Sequence, residues 1–215
     1  MADHLPDCED APAVAAEIFG DRLDLAQRYH DSLATTAAER GFIGPKEVSR
    51  LWSRHILNCA VVADAFGPDH KIADIGSGAG LPGIALAITR PDLQITLIEP
   101  LLKRSTYLGE ISDELNLGNV TVIRGRAEEQ GALTGTFDAV TSRAVAPLGK
   151  LAGWSLPLVR PGGSMIAMKG ASVGEELERD AKLIAKAEGV DAEIFTAGDG
   201  VLEQPTTLIR VVRAG

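Results

Sequence analysis

Residues 74–83 read Asp-Ile-Gly-Ser-Gly-Ala-Gly-Leu-Pro-Gly, an acidic residue closing an apolar strand, then a glycine-dense turn and a helix start. Turns without side chains let a ligand approach the backbone, and the first N–H groups of the following helix point outward unpaired. This is equipment for holding a nucleotide-like cofactor. Gly78-x-Gly80-x-x-Gly83 matches the dinucleotide fingerprint, and Glu99 lies about 20 residues on, where an acid can accept ribose hydroxyls. The overlapping Asp74-x-Gly76-x-Gly78-x-Gly80 suits a second class of nucleotide-like cofactor equally well, so the turn alone does not separate the two. Asp74 ends a strand that is otherwise apolar, and a buried carboxylate there requires a ligand or a backbone N–H as partner. Asp74, Gly76, Gly78, Gly80, Leu81 and Glu99 are the candidate cofactor residues, joined by Ala127 and Glu128 in the loop after the third expected strand.

A second group of candidates lies in residues 45–60. Val48, Leu51, Trp52, His55 and Cys59 fall on one face at helical spacing, which makes His55 either a hydrogen-bonded histidine at the core edge or a site residue. Lys46, Arg50 and Arg54 recur every four residues on another face as a basic stripe. Such a stripe is often merely solvated, but it occupies the one basic segment of an acidic half and suits phosphate contact.

The charge map agrees with a local basic surface. The chain of 215 residues carries a net charge of −9, against a protein held to nucleic acid by overall electrostatics. The negative charge sits at the ends: residues 1–44 hold nine acids and three bases, and residues 171–215 hold nine and five. Residues 71–170 are balanced, with ten bases and nine acids. No apolar run approaches the ~20 residues of a membrane span, the N-terminus lacks the basic-then-apolar pattern of a signal peptide, and a cytoplasmic location is expected. Cys8 and Cys59 are too few for a disulfide framework or a zinc site, so no metal is expected.

The elements that must position these residues alternate between β-rich and helical runs from residue 71, the pattern of a largely parallel sheet covered by helices. Strands are expected at Lys71–Ile75, Gln94–Glu99, Val120–Arg124, Phe137–Ser142, Ser164–Lys169, Val190–Thr196 and Thr206–Arg213. Helices are expected from Leu81, with Pro82 in its first turn, from Leu102 to a stop at Gly118, from Pro147 to a break near Pro157, and from Val173 to Ala187. Glu175-Glu176-x-Glu178 reads as a solvated helix start that complements the dipole. The last two strands have no helix between them and suggest a terminal antiparallel hairpin. Residues 1–70 form a helical extension without strands, its first dozen residues expected to fray, and 71–215 form the core. That length leaves little room for the separate substrate domain of most dinucleotide oxidoreductases.

Further runs narrow the choice. Trp52-x-Arg54-His55-Ile56, Asp74 through Ile84, Arg126-Ala-Glu128-Glu129, Ser142-Arg143-Ala144 and Met168-Lys169-Gly170 occur in this order. Together they closely resemble the bacterial small-subunit ribosomal RNA guanine-N7 methyltransferases, the RsmG or GidB family, from about Ile18 to the end of the chain. Asn58-Cys59 departs from the Asp-Ser that many members carry. The resemblance implies a class I fold dependent on S-adenosylmethionine (SAM): Rossmann-like, with a mostly parallel seven-stranded sheet, a terminal antiparallel hairpin and an N-terminal helical extension. It further implies methyl transfer from SAM to N7 of guanine 527 of 16S rRNA, within the small ribosomal subunit or a late assembly intermediate. Arg143, after strand four, is implied to contact SAM or the target base. Lys169, at the end of strand five, is placed either to hold a phosphate or the guanine O6 or to be merely exposed.

A lone-pair nucleophile such as N7 has no proton to remove, so alignment and exclusion of water suffice. The sequence fits by omission: no Asn-Pro-Pro-Tyr follows strand four, and neither cysteine lies in a Pro-Cys or Thr-Cys context. A methyltransferase for another RNA or a small molecule, and a non-catalytic SAM-binding regulator, remain as alternatives, because fold does not set substrate.

Overall fold

The computed structural model describes residues 8–215. Ahead of the sheet the described chain is helical and holds no strand. Ala13–Phe19 (α1) is followed by Leu23–Ser32 (α2), which runs on through a π-helical turn at Leu33–Ala37. The segment expected as one helix over 45–60 is broken. Pro45–Val48 (α3) is a single turn, Arg50 leaves helical geometry at φ −135°, and the chain resumes as a π-helical turn at Leu51–Ile56 and then Leu57–Ala60 (α4). The break cancels the four-residue spacing, so Lys46 no longer shares a face with Arg50 and Arg54 by helical geometry. The apolar face survives it: Val48, Leu51, Trp52, His55 and Cys59 are all buried. The expected fraying covers residues 1–7, which lie outside the described residues, and residues 8–12, which are anchored. There the Glu9 carboxylate accepts hydrogen bonds from the Ser53 backbone N–H at 2.9 Å and from its hydroxyl at 2.5 Å.

The core follows as Lys71–Ile75 (β1), Gly83–Thr89 (α5), Gln94–Glu99 (β2), Leu102–Glu114 (α6) and Val120–Arg124 (β3). Then come Phe137–Arg143 (β4), Leu148–Ser155 (α7), Val159–Met168 (β5), Val173–Lys186 (α8), Gly189–Ala197 (β6) and Thr206–Arg213 (β7). Most boundaries fall within a residue of expectation, and three larger differences have a local reason. Pro82 caps α5 instead of lying in its first turn. Asn116, at φ 51°, takes the left-handed position that ends α6, which Gly118 was expected to supply. β5 begins at Val159 because Gly162, at φ 75°, and a register shift between Phe137 and Ala139 absorb the Pro-Gly-Gly run as a bulge.

The seven strands form one sheet in the order β3-β2-β1-β4-β5-β7-β6. β1 through β5 pair in parallel, while β7 pairs antiparallel with both β5 and β6. The chain leaves β1 toward β2 and β3, then returns to β4 on the other side. Ligands of α/β folds sit outside the carboxyl ends of the strands at this switch point, here the ends of β1 and β4. Successive strand residues face opposite layers. Ile72 and Leu97 pack with Ile84, Tyr107 and the N-terminal Tyr29 and Trp52, whereas Ala73 and Val140 pack with Leu148, Leu151 and Ile184. The N-terminal helices and the sheet thus share one core across residue 70.

Candidate functional site

The glycine turn is built from the end of β1. The Asp74 side chain is fully buried; one carboxylate oxygen accepts the Gly83 N–H at 3.0 Å, securing the start of α5. The other oxygen, Oδ1, is buried without a hydrogen-bond partner among the described residues. Burial pushes the carboxyl up to about 7, against the Gly83 N–H, the Ser77 hydroxyl and the nearby Arg143, which favour its charged form. Gly76, Gly78 and Gly80 all take positive φ, at 68°, 59° and 97°. Their roles differ. A Cβ at Gly80 would stand 2.5 Å from Ile84 Cγ1 and 2.9 Å from the Tyr29 hydroxyl, so this glycine is demanded by packing. A Cβ at Gly78 would meet only the Gly76 carbonyl at 3.8 Å, so this face of the turn is open to a ligand.

Glu99, at the end of β2 and 2% exposed, reaches the same turn. Its two oxygens accept the Gly78 and Leu101 N–H groups, each at 2.9 Å. Each oxygen keeps a further lone pair. Leu81 is differently placed: its side chain is buried in the core and its N–H is bonded to the Ser77 carbonyl at 3.2 Å. Ala127 is buried after β3, and Glu128 is exposed beside Arg126 at 3.9 Å. An open backbone turn, a carboxylate on it and an unpartnered buried carboxylate oxygen fit a nucleoside ligand that carries hydroxyls and positive charge.

The residue that sequence reasoning missed is Tyr29. It is fully buried on α2, and its hydroxyl donates to the Ala79 carbonyl at 2.8 Å, tying the N-terminal helices to the turn. Its one signal was an aromatic on an apolar helix face; nothing local links residue 29 to residue 79.

Arg143 ends β4 and points toward a cavity of about 1050 Å³ that Lys169, His55, Arg50, Arg54 and Asn58 also line. Ala144 follows at φ 54°, and Val145 lies against the turn, its Cγ2 2.8 Å from where a Gly76 Cβ would be. The cavity therefore adjoins the glycine turn across Arg143–Val145. Lys46 is exposed and does not line it, which removes one member of the expected stripe. Lys169 is less free than its sequence position suggests. Its Nζ sits 2.7 Å from Glu176 Oε2 and donates to the Ala146 carbonyl at 3.2 Å. Glu176 also accepts the Leu148 N–H at 2.9 Å, so it is not the solvated helix-start acid expected but a brace between α8, α7 and β5.

His55 is a hydrogen-bonded histidine at the core edge that also borders the cavity. It is 7% exposed yet lines the cavity, with Nε2 2.7 Å from Glu47 Oε2 and Nδ1 buried without a partner among the described residues. Burial, then the nearby Arg143, hold its pKa below the ordinary value despite Glu47, so the ring is neutral at pH 7. Cys59 lies beneath, its Sγ 4.0 Å from Arg143 Nη1. Burial pushes that thiol up to about 11, which leaves it no thiolate for nucleophilic work at neutral pH. Among the described residues no group of three or more His, Cys, Asp or Glu could hold a metal ion, and no helix is long and apolar enough to cross a membrane.

A crevice of this kind, over a sheet with this strand order, defines a class I SAM-dependent methyltransferase fold. A SAM-dependent methyltransferase from Aquifex aeolicus shares it at a TM-score of 0.56 and 16% identity, covering 79% of this chain and 98% of that one. The family described as GidB, rRNA small subunit methyltransferase G, matches residues 22–204, and the chain belongs to it. The chain is 65% identical to the ribosomal RNA small subunit methyltransferase G of Corynebacterium glutamicum (strain R) over 204 residues, covering 94% of this chain and 92% of that one. It is 54% identical to the protein of the same description from Pseudarthrobacter chlorophenolicus, covering 92% and 91%.

Proposed function

We propose that this rRNA methyltransferase moves the methyl group of SAM to N7 of guanine 527 in 16S rRNA, acting on the small ribosomal subunit or a late assembly intermediate. When bound, SAM supplies an electrophilic methyl on a sulfonium. The observation that carries the reading is the junction at Arg143, where a turn suited to a nucleoside cofactor meets a cavity lined by cations and a neutral histidine.

In this reading the chain's residues bind and align. Glu99 would accept the ribose hydroxyls, the open face of Gly78 would admit the cofactor against the backbone, and the buried Asp74 carboxyl would favour its positive charge. Ala127 and Glu128 border the adenine. Arg143 bridges cofactor and base, and Arg50, Arg54 and His55 receive the RNA. Lys169, bonded to the Ala146 carbonyl and paired with Glu176, supports the 144–147 segment behind Arg143 in this reading. Guanine N7 needs no general base, and the thiol beneath the cavity stays protonated and supplies no nucleophile.

The test is incubation with labelled SAM and small subunits lacking the modification. One guanine, mapped as a reduction- and aniline-sensitive site at nucleotide 527, is the expected product, with deproteinised RNA reacting far more slowly. Label at another atom or spread over many guanines would overturn the assignment.

A further inference from the structure

The cations of the cavity are not equivalent. Glu47, on the single turn α3, has its carboxylate among three of the groups that line it. One oxygen accepts from Arg50 Nη2 at 2.5 Å; the other lies 2.7 Å from His55 Nε2 and 3.8 Å from Arg54 Nε. Lys169 is paired with Glu176. Among the described residues, Arg143 is the lining cation that forms no salt bridge. The chain thus neutralises with its own carboxylate the side chains best placed for phosphate, and it does so at the mouth, where Glu47, Arg50 and Arg54 side chains are 32%, 45% and 61% exposed.

We propose that Glu47 is an internal counter-ion that competes with RNA phosphates for Arg50, Arg54 and His55 and so sets the selectivity of the cavity against arbitrary RNA. This rests on the reading that the cavity receives rRNA.

Affinity for any RNA comes largely from phosphates neutralised by Arg and Lys, each contact releasing counterions. A carboxylate already on those cations removes part of that sequence-independent gain. An exposed ion pair is weak and exchanges readily, so a substrate that presents phosphates in the matching arrangement displaces it, while a flexible strand gains little by doing so. At pH 7, with His55 neutral, Arg50 and Arg54 against Glu47 leave one net positive charge at the mouth. Loss of the Glu47 charge would leave two.

The test measures binding of a fluorescent single-stranded RNA of unrelated sequence across a salt series, for wild type, Glu47→Gln and Glu47→Asp. Glu47→Gln is expected to bind this RNA several-fold more tightly at low salt. Its slope of log affinity against log salt should steepen by about 0.7, the single-strand value for one added phosphate contact. Glu47→Asp keeps the charge and should follow wild type. Adding Arg50→Ala and Arg54→Ala to Glu47→Gln should abolish the gain.

Unchanged affinity and slope in a folded Glu47→Gln, judged by its unfolding midpoint, would overturn the proposal. Weaker binding by Glu47→Gln would also overturn it, because Glu47 would then be aligning the arginines for phosphate. The measurement needs no methyl transfer. A failure of the small-subunit assay would refute the proposed function without touching this result.

Discussion

The glycine turn and the cation-lined cavity meet at Arg143 but are built in opposite ways. The turn is a backbone device. Its three glycines take positive φ, and it is held from three directions by the buried Asp74, Glu99 and Tyr29. The cavity is a side-chain device, with Arg50 and Arg54 at its mouth exposed and paired to a carboxylate that can exchange. The first is preorganised for one rigid ligand, and preorganisation limits what is lost on binding. The second suits a large partner whose phosphates must be matched and whose competitors are numerous.

The contrast breaks most sharply within the turn. Gly78→Val meets no side chain, so it carries only the backbone strain of a β-branched residue at φ 59° and should still fold, while losing SAM affinity by at least ~100-fold, about 2.8 kcal/mol. Gly80→Val, two residues on, meets Ile84 and Tyr29 and should lower stability by about 1–3 kcal/mol through overpacking. Calorimetry with SAM and thermal unfolding of both variants check this; the reverse assignment of defects would show that the open face is wrongly placed.

Arg143→Ala tests the junction. Removing one preorganised charge at a reacting centre should cost on the order of 100-fold in kcat, with SAM affinity changed much less. Single-turnover transfer to small subunits is the measurement, and an unchanged kcat would move the chemistry elsewhere.

Tyr29→Phe asks whether the N-terminal helices support the cofactor side. It leaves the buried Ala79 carbonyl without its donor, a cost of about 1–3 kcal/mol. We expect roughly tenfold weaker SAM binding from a folded protein. Full affinity would reduce the contact to packing.

Arg50→Ala with Arg54→Ala should leave SAM binding intact and weaken RNA engagement several-fold, with a shallower salt slope by about 0.7 per lost contact. Lys46→Ala, off the cavity, should do little in the same titration. Equal losses from all three would restore the continuous stripe that the break at Arg50 removes.

The last test concerns pH. Asp74 has its carboxyl raised from 3.8 to about 7 by burial, so between those values the folded protein holds a proton that the unfolded chain has released. Wild-type stability should therefore fall as pH rises from about 4 to about 7, relative to Asp74→Asn, which has no such proton. Parallel stability curves for the two proteins would place Asp74 in a less desolvated setting.

The sequence by itself determined the parts whose physics is local. Seven strands and the order of the core helices follow from apolar periodicity and Gly/Pro punctuation. The Asp74–Gly83 turn is legible because only glycine tolerates its backbone, and Glu99 because strand geometry returns an acid beside that turn. The tertiary structure decided whatever depends on distant residues meeting. Tyr29 reaches Ala79 across 50 positions, Glu176 braces Lys169 and α7, and Glu47 gathers Arg50, Arg54 and His55 once the chain leaves the helix at Arg50. Periodicity drew Lys46 into a stripe with those arginines, because spacing assumes an unbroken helix. Ion pairs between long side chains carry no periodic signature, so which charges stay free for a partner is settled only when the elements pack.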